Sequence, residues 1–251
     1  KKLQFQAGYS KRIFRPRLWD LNPFFNIRNN YVIRTGNPDL LPEFADALEL
    51  TSIFIWEKFT LNTSLYYLYT TNVKETISSS VGDIIYTRPE NIGTNAKTGV
   101  EVNWKWSFTK WLSFNGDINA GVFQRKGEFN EQSFDFSSNQ WSSKTTAKLK
   151  LKNNFDIELS GNYQSAYATV QGTTDAFAFM NIGLRKKILK GKAVVSLSVR
   201  DVFASQIRAS HIVQSNYSFS SYSQRGRFIT AGFSYSFGKG EAMEYSGGRR
   251  R

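Results

Sequence analysis

The sequence predicts an all-β protein, an antiparallel up-and-down transmembrane β-barrel of about ten strands. Three observations predict it. Apolar and polar residues alternate with period two over segments of roughly 10–14 residues, the pattern of strands that show one apolar face to lipid. Short and long connections take turns between the segments, as the two ends of an outer-membrane barrel require. Aromatic residues are abundant, with 21 Phe, 12 Tyr and 6 Trp in 251 residues, and Trp and Tyr gather near segment ends where membrane interfaces lie.

The elements follow in order. Leu3, Phe5, Ala7 and Tyr9 alternate with Gln4, Gln6 and Gly8 in a first strand. The stretch from Tyr9 to Glu43 holds four of the five prolines and reads as a long ordered loop, each proline setting an extended residue before it. Phe44 to Ile55 is a return strand, Trp56-Glu57-Lys58 a tight turn, and Phe59 to about Ile77 the next strand. A loop from Ser78 to about Thr94 carries the fifth proline, Pro89, so no strand is expected to contain one. Val100, Val102, Trp104 and Trp106 oppose Glu101, Asn103 and Lys105; after a turn over 107–111, Leu112 to Val122 alternates again.

A polar loop is expected over 125–141. Thr145 to Leu151 then alternates with four polar partners, and Asn153-Asn154 turns the chain into Phe155 to Tyr167. Residues 171–175 form a short member of the long-loop set. Ala176 to Leu184, a turn at 190–192, and Val195 to Val199 follow. A long loop over 205–222 holds His211, and Ile229 to Phe237 is the last strand. Short turns lie at 56–58, 107–111, 152–154 and 190–192, which places Phe237 at the periplasmic end. Residues 1–238 are one barrel segment, and 239–251 are a polar tail expected to be disordered.

Composition excludes several functions. The chain has no Cys, which removes thiol catalysis, cysteine-ligated zinc and iron–sulfur clusters. Apolar runs such as Leu65 to Tyr69 and Ala176 to Met180 are far short of the about 20 residues of a membrane helix. The net charge is +13, and the pI is about 9.8. Nucleic-acid binding would need a basic groove lined by stacking aromatics. Here the lysines of 144–150 oppose the apolar face and the aromatics sit at strand ends, so no nucleic-acid partner is expected. His211 beside Ser210 is loop polarity rather than a catalytic pair. Gly238-Lys239-Gly240 lacks the third glycine of a dinucleotide loop. No catalytic, cofactor or metal residue is expected, and the chain is not expected to be an enzyme. It begins at Lys1 without a signal peptide, and an exported protein needs one, so a mature or truncated piece is expected.

Four motifs then narrow the reading. Arg15-Pro16, Leu21-Asn22-Pro23-Phe24 and Gly36-Asn37-Pro38-Asp39-Leu40-Leu41-Pro42-Glu43 stand in the first loop. Arg88-Pro89-Glu90-Asn91-Ile92-Gly93 precedes Gly99-Val100-Glu101. Arg200-Asp201-Val202-Phe203 and Arg227-Phe228 through Phe237 follow. In this order they resemble the barrel domain of TonB-dependent outer-membrane receptors, within the outer-membrane β-barrel family that carries the GNP loop. Ala204 stands where that family usually has Asn.

The resemblance implies about ten strands, the C-terminal part, of a 22-stranded barrel. It implies energised uptake of a nutrient such as an iron chelate, a vitamin, a peptide or a glycan. The alternative is a binding or structural barrel without energised transport. The implied partners are outer-membrane lipid, a plug domain and remaining strands outside this chain, the TonB system acting through that plug, and a possible surface lipoprotein. Arg15, Pro16, Asn22, Pro23, Gly36, Asn37, Pro38, Pro42 and Glu43 are expected to form a structural loop motif, and Phe237 a terminal assembly signal. The ligand-binding residues stay open. A closed ten-strand barrel would be roughly 20 Å across at a tilt near 40°, too narrow for Lys144, Lys148, Lys150, Glu158, Gln164 and Arg185 on its inner face. The first and last strands are therefore expected to be free edges.

Overall fold

In a computed structural model the described residues are 1–24, 26–29, 31–129, 132–215 and 217–237. Ten strands form the main sheet: β1 (Lys2–Phe14), β2 (Glu43–Ile55), β3 (Phe59–Thr71), β4 (Thr94–Trp106), β5 (Leu112–Phe129), β6 (Gln132–Leu151), β7 (Phe155–Gln164), β8 (Phe177–Ile188), β9 (Ala193–Arg200) and β10 (Phe228–Tyr235). They lie in sequence order, and β1 and β10 are the two edges. Every neighbouring pair is antiparallel. The expected up-and-down order and the two free edges are both present.

The registers carry one apolar face across the sheet. Ile157, Leu184, Leu197 and Ala231 stand side by side, as do Leu159, Ile182, Val199 and Ile229. On the earlier strands Tyr9, Leu48, Tyr67, Thr98 and Val122 form another such row. Phe5 is 72% exposed, Val122 60% and Ile229 62%. A soluble sandwich would bury this face against a second sheet; here, among the described residues, nothing covers it, as a lipid-facing wall requires.

The opposite face is polar and bonded to itself. The Thr51 and Ser64 hydroxyls are 2.8 Å apart, the Tyr66 hydroxyl donates to Asn119 (3.0 Å), and Lys148 meets Glu158 at 3.0 Å. Gly99 lets Tyr66 cross its neighbour strand, because a Cβ there would stand 2.5 Å from the phenol oxygen.

The short turns fall at 56–58, 107–111, 152–154 and 189–192. Asn153 and Asn154 both take positive φ (61° and 56°), the left-handed geometry a tight hairpin requires and Asn tolerates. Trp56, Trp106, Phe108 and Trp111 are exposed at this end, with Trp106 edge-on to Phe108 at 4.8 Å. Of the belt expected from Trp56, Trp104, Trp106, Trp111 and Phe155, Trp56, Trp106 and Trp111 are exposed and Trp104 and Phe155 are half-buried.

The long connections differ from expectation. The polar loop placed at 125–141 is mostly strand: β5 runs to Phe129 and β6 starts at Gln132. Phe134 and Phe136 alternate with Ser133, Asp135 and Ser137, and Phe136 packs edge-on to Phe123 at 6.3 Å. Period two therefore continues past the membrane band. The strand placed at 59–77 breaks at Asn72, whose φ is +54°, and Lys74–Val81 is a separate strand. The loop at 78–94 is the rest of that hairpin, so Pro89 lies in a strand, Ile84–Asn91. Its missing N–H is tolerated because the parallel neighbour reaches only residues 85–87. The connection at 171–175 is longer than expected and includes the hairpin Tyr167–Thr169 with Gly172–Thr174. His211 sits in a strand, Ile207–Val213, not in an irregular loop.

These extra strands make two four-stranded sheets at the long-loop end. The first combines Asn26–Asn29, Val32–Arg34, Ile84–Asn91 and Lys74–Val81. The second combines Tyr167–Thr169, Gly172–Thr174, Ile207–Val213 and Ser218–Gln224. Buried apolar side chains concentrate at this end, at Leu40, Val73, Ile77, Ile85, Ile92 and Phe123. The hydrophobic core thus lies among the loops, while the barrel wall turns its apolar surface outward. Gly238 and the tail 239–251 lie outside the described residues.

Candidate functional site

The first long loop is built by its turn chemistry. After β1 the chain makes one helical turn, Leu18–Leu21, where the Arg17 N–H donates to the Asp20 carboxylate (3.2 Å). The Asn22 side chain accepts from the Phe24 N–H (3.1 Å), an Asx turn into Pro23. Gly36 then passes against this turn: its N–H donates to Asn22 O (2.7 Å), and the Asn37 N–H to Asp20 O (2.6 Å). A Cβ on Gly36 would lie 2.4 Å from Asn22 O, so only glycine fits.

Asn37 is the pivot, at 3% exposure. Its amide donates to Pro89 O (3.1 Å) and to Glu90 Oε2 (2.9 Å), and its side-chain oxygen accepts from the Asp39 N–H (3.0 Å). All of its polar atoms are thereby used. Asn91 makes a second clasp, accepting from the Leu41 N–H (2.8 Å) and donating to Leu41 O (3.1 Å) and Asn72 O (2.7 Å). Asn72 donates to Pro42 O (3.3 Å), and the Glu43 carboxylate accepts from the Lys74 N–H (2.8 Å). Lys74 also donates through Nζ to Asp20 (2.5 Å). The two sequence motifs, at 36–43 and 88–93, thus bond to each other.

Of the expected loop-motif residues, Asn22, Gly36, Asn37, Pro42 and Glu43 join this brace. Arg15 and Pro38 are exposed, and Pro16 and Pro23 act through chain shape at the loop's entrance. Sequence reasoning missed Asp20, Asn72 and Lys74. The Lys74-Glu75 pair just past an alternating strand was the available signal. Glu75 pairs with Arg125, and burial pushes its carboxyl above the usual value despite that partner.

The two loop sheets are joined by hydrogen bonds. Ser78 and Gln171 exchange two hydrogen bonds of 2.8 Å, and the Tyr217 hydroxyl donates to Ser78 O (2.5 Å). Ser78 and Gln171 also line a cleft of ≈ 660 Å³ whose wall includes Arg34, Glu75, Thr173, His211, Ser221 and Tyr222. His211 is held on both sides, with Nδ1 2.8 Å from the Ser220 hydroxyl and Nε2 3.2 Å from Asp175. Ser210 and Ser221 share a hydrogen bond of 2.8 Å. Hydroxyls, charges of both signs and exposed Tyr222 can together hold a polar ligand with a flat face. No sequence signal joined residues 78, 171 and 217, since only the fold brings them together.

The Arg200-Asp201-Val202-Phe203 motif is a turn. Asp201 is fully buried, and its carboxylate accepts from the Ser205 N–H (2.9 Å) and the Gln206 N–H (3.0 Å). Its own N–H donates to Asn181 Oδ1 (2.9 Å). Phe237 is 89% exposed at the end of the described chain, edge-on to Tyr235 at 4.8 Å.

Comparison with known proteins places this architecture. The copper transporter OprC superposes with a TM-score of 0.61 at 11% identity, over 94% of this chain and 38% of that one. The ferric enterobactin receptor PfeA of Pseudomonas aeruginosa, as a point mutant in complex with enterobactin, gives 0.54 at 14% identity, over 81% and 33%. The chain therefore spans between about a third and two fifths of these structures, and identities this low speak for the fold alone. A search of curated proteins found no match. The model of the outer membrane protein beta-barrel family matches residues 1–237. With that match and a lipid-facing open sheet, the chain belongs to the outer membrane protein β-barrel family: it is integral to the outer membrane and is not an enzyme.

Proposed function

We propose that this chain is the C-terminal part of the barrel of a TonB-dependent receptor for energised uptake of a nutrient, such as an iron chelate, a vitamin, a peptide or a glycan. The observation that carries the reading is the polar cleft between the two loop sheets, lined by Ser78 and Gln171 where the sheets are bonded together. Ligand meets Arg34, His211 and Tyr222 in that cleft before passing inward. On the inner face the Lys148 and Glu158 side chains are about half exposed, which suits contact with water or a plug. The energised step belongs to a plug domain and the TonB system, and a surface lipoprotein is a further partner. Phe237 serves as a terminal assembly signal, and the brace around Asn37 serves as a structural loop motif.

The test is uptake by cells carrying the full-length protein or a deletion of its gene. Each nutrient class is supplied in labelled form, with and without a protonophore. Uptake that needs both the gene and the proton gradient supports the reading. Gene-dependent uptake that ignores the protonophore refutes energised transport and supports a passive binding barrel.

A further inference from the structure

The short-turn end holds a second concave site. The hairpin turn at 107–111 is well tied: the Ser107 N–H donates to Lys58 O (2.7 Å) and the Thr109 N–H to Leu112 O (3.0 Å). The Thr109 hydroxyl accepts from the N–H groups of Trp111 (3.2 Å) and Leu112 (2.9 Å). Beside this turn lies a cavity of ≈ 570 Å³ whose lining includes Lys105, Lys110, Lys148 and Lys150, with Ser107, Thr109 and Ser113 between them and no acidic residue. Lys105 and Lys148 lie on the inner face of the sheet, level with Asn115 and Ser113 on the strand between them. Lys148 meets Glu158 at 3.0 Å. Lys105, Lys110 and Lys150 make no ion pair among the described residues.

We propose that this basic cradle at the periplasmic mouth binds an acidic, extended protein segment. Like charges crowded in a concave wall repel one another and raise the local potential, and an anion relieves both effects. Spacing selects the anion. Lys148 and Lys150 are two residues apart on one strand, about 7 Å, and Lys105, two strands away and level with Thr146, stands about 12 Å from Lys148 and about 17 Å from Lys150. One phosphate cannot meet amines so separated without drawing three chains inward. Carboxylates on alternate residues of an extended peptide repeat at about 7 Å and can meet Lys150 and Lys148 in turn, with one further along the peptide facing Lys105. The hydroxyls of Thr109 and Ser113 add partners for the peptide backbone. A lipid headgroup is a poorer match, because Lys105, Lys148 and Lys150 point away from the lipid face.

The experiment uses the full-length protein purified in a neutral detergent. The probe is a short fluorescein-labelled peptide of alternating aspartate and serine, followed by anisotropy at low salt. Three proteins are compared: wild type, K105Q/K110Q/K150Q, and a charge-matched control, K11Q/R200Q/R225Q. Heat-modifiable electrophoretic mobility checks that each is folded, and K110Q alone, a turn substitution, serves if the triple variant fails to fold. The expected result is about a tenfold loss of affinity in the cradle variant and less than about a twofold loss in the control. Equal losses in both would assign the binding to the diffuse field of the +13 chain and overturn the proposal. No loss in the cradle variant, or displacement of the peptide by stoichiometric inorganic phosphate, would overturn it as well.

Discussion

Replacing Asn37 by Ala removes three hydrogen bonds at one buried point. Two join neutral groups, to Pro89 O (3.1 Å) and from the Asp39 N–H (3.0 Å), and one goes to the Glu90 carboxylate (2.9 Å). A neutral bond is worth about 1 kcal/mol net and one to a charged group about 2. Glu90 is 30% exposed, so its share is reduced by solvent, and the sum is about 3 kcal/mol. That energy holds the 36–43 loop onto the 88–93 strand; it does not hold the barrel wall together. The assay is therefore local. Hydrogen exchange of the Asp39 and Leu41 amides in the purified full-length N37A protein should speed up by roughly a hundredfold, while β3 to β7 exchange as in wild type. Asn37→Asp should do worse, because a carboxylate replaces the amide donor facing the Pro89 carbonyl and Glu90. Unchanged protection at Asp39 and Leu41 in N37A would refute the brace.

Gly36→Ala should release the helical turn at Leu18–Leu21, since the new Cβ overlaps Asn22 O and Asp20 O; trypsin cleavage after Arg17 should accelerate severalfold, and an unchanged digest would count against the overlap. The Lys74 ammonium bonded to Asp20 holds that carboxyl below its ordinary 3.8, so its stabilisation is present above that value and lost as pH falls through the depressed one. At the assay pH D20N, which lacks that charge, should be cut at the same trypsin site faster than wild type, and an equal rate would count against the Asp20–Lys74 pair. Cysteine at Ser198 should react with a membrane-impermeant maleimide and cysteine at Val199 should not, because their neighbours are Gly183 and Thr230 on one face and Ile182 and Ile229 on the other; equal labelling would show the register to be wrong. Loss of Phe237 together with 238–251 should impair insertion relative to loss of 239–251 alone, measured as the heat-modifiable fraction in outer membranes.

The sequence revealed the wall better than the mouth. Period two alone recovers β7, because Ile157 and Leu159 need only their own neighbours to declare a face. It failed at 125–141, where Phe134 and Phe136 sit among serines and the polarity of Asp135 resembles a loop, though the alternation never stops. It failed at Pro89, since the rule against proline in strands depends on which side is paired, and that is set by the short parallel partner Val32–Arg34. The loop motif was legible as a motif, but its partners were not. Gly36 and Asn37 announce a turn; nothing in them announces that Asn37 closes onto Pro89 and Glu90 some fifty positions away. The Ser78–Gln171 bridge joins residues 93 positions apart, and no local pattern encodes such a pair.

The edges of the sheet decide what this wall requires in a membrane. β1 has 13 residues, and it pairs with β2 on one side only. About half of its N–H and C=O groups, some six of each, therefore point away from the sheet. In hydrocarbon each unpaired group costs several kcal/mol, a sum of tens of kcal/mol that the apolar face cannot recover. Curling β10 onto β1 would pair them, but it would narrow the bore to roughly 20 Å and press Lys144, Lys148 and Arg185 into it with too little water. The wall is consistent only as an arc, with further strands continuing the ladder from β1 and from β10. Residues 1–237 expressed with an export signal but without such strands should accumulate as aggregates rather than heat-modifiable barrel, and the full-length protein should insert. Stable insertion of the arc alone, with the β1 amides protected from exchange, would show that the ten strands can close and would overturn this argument.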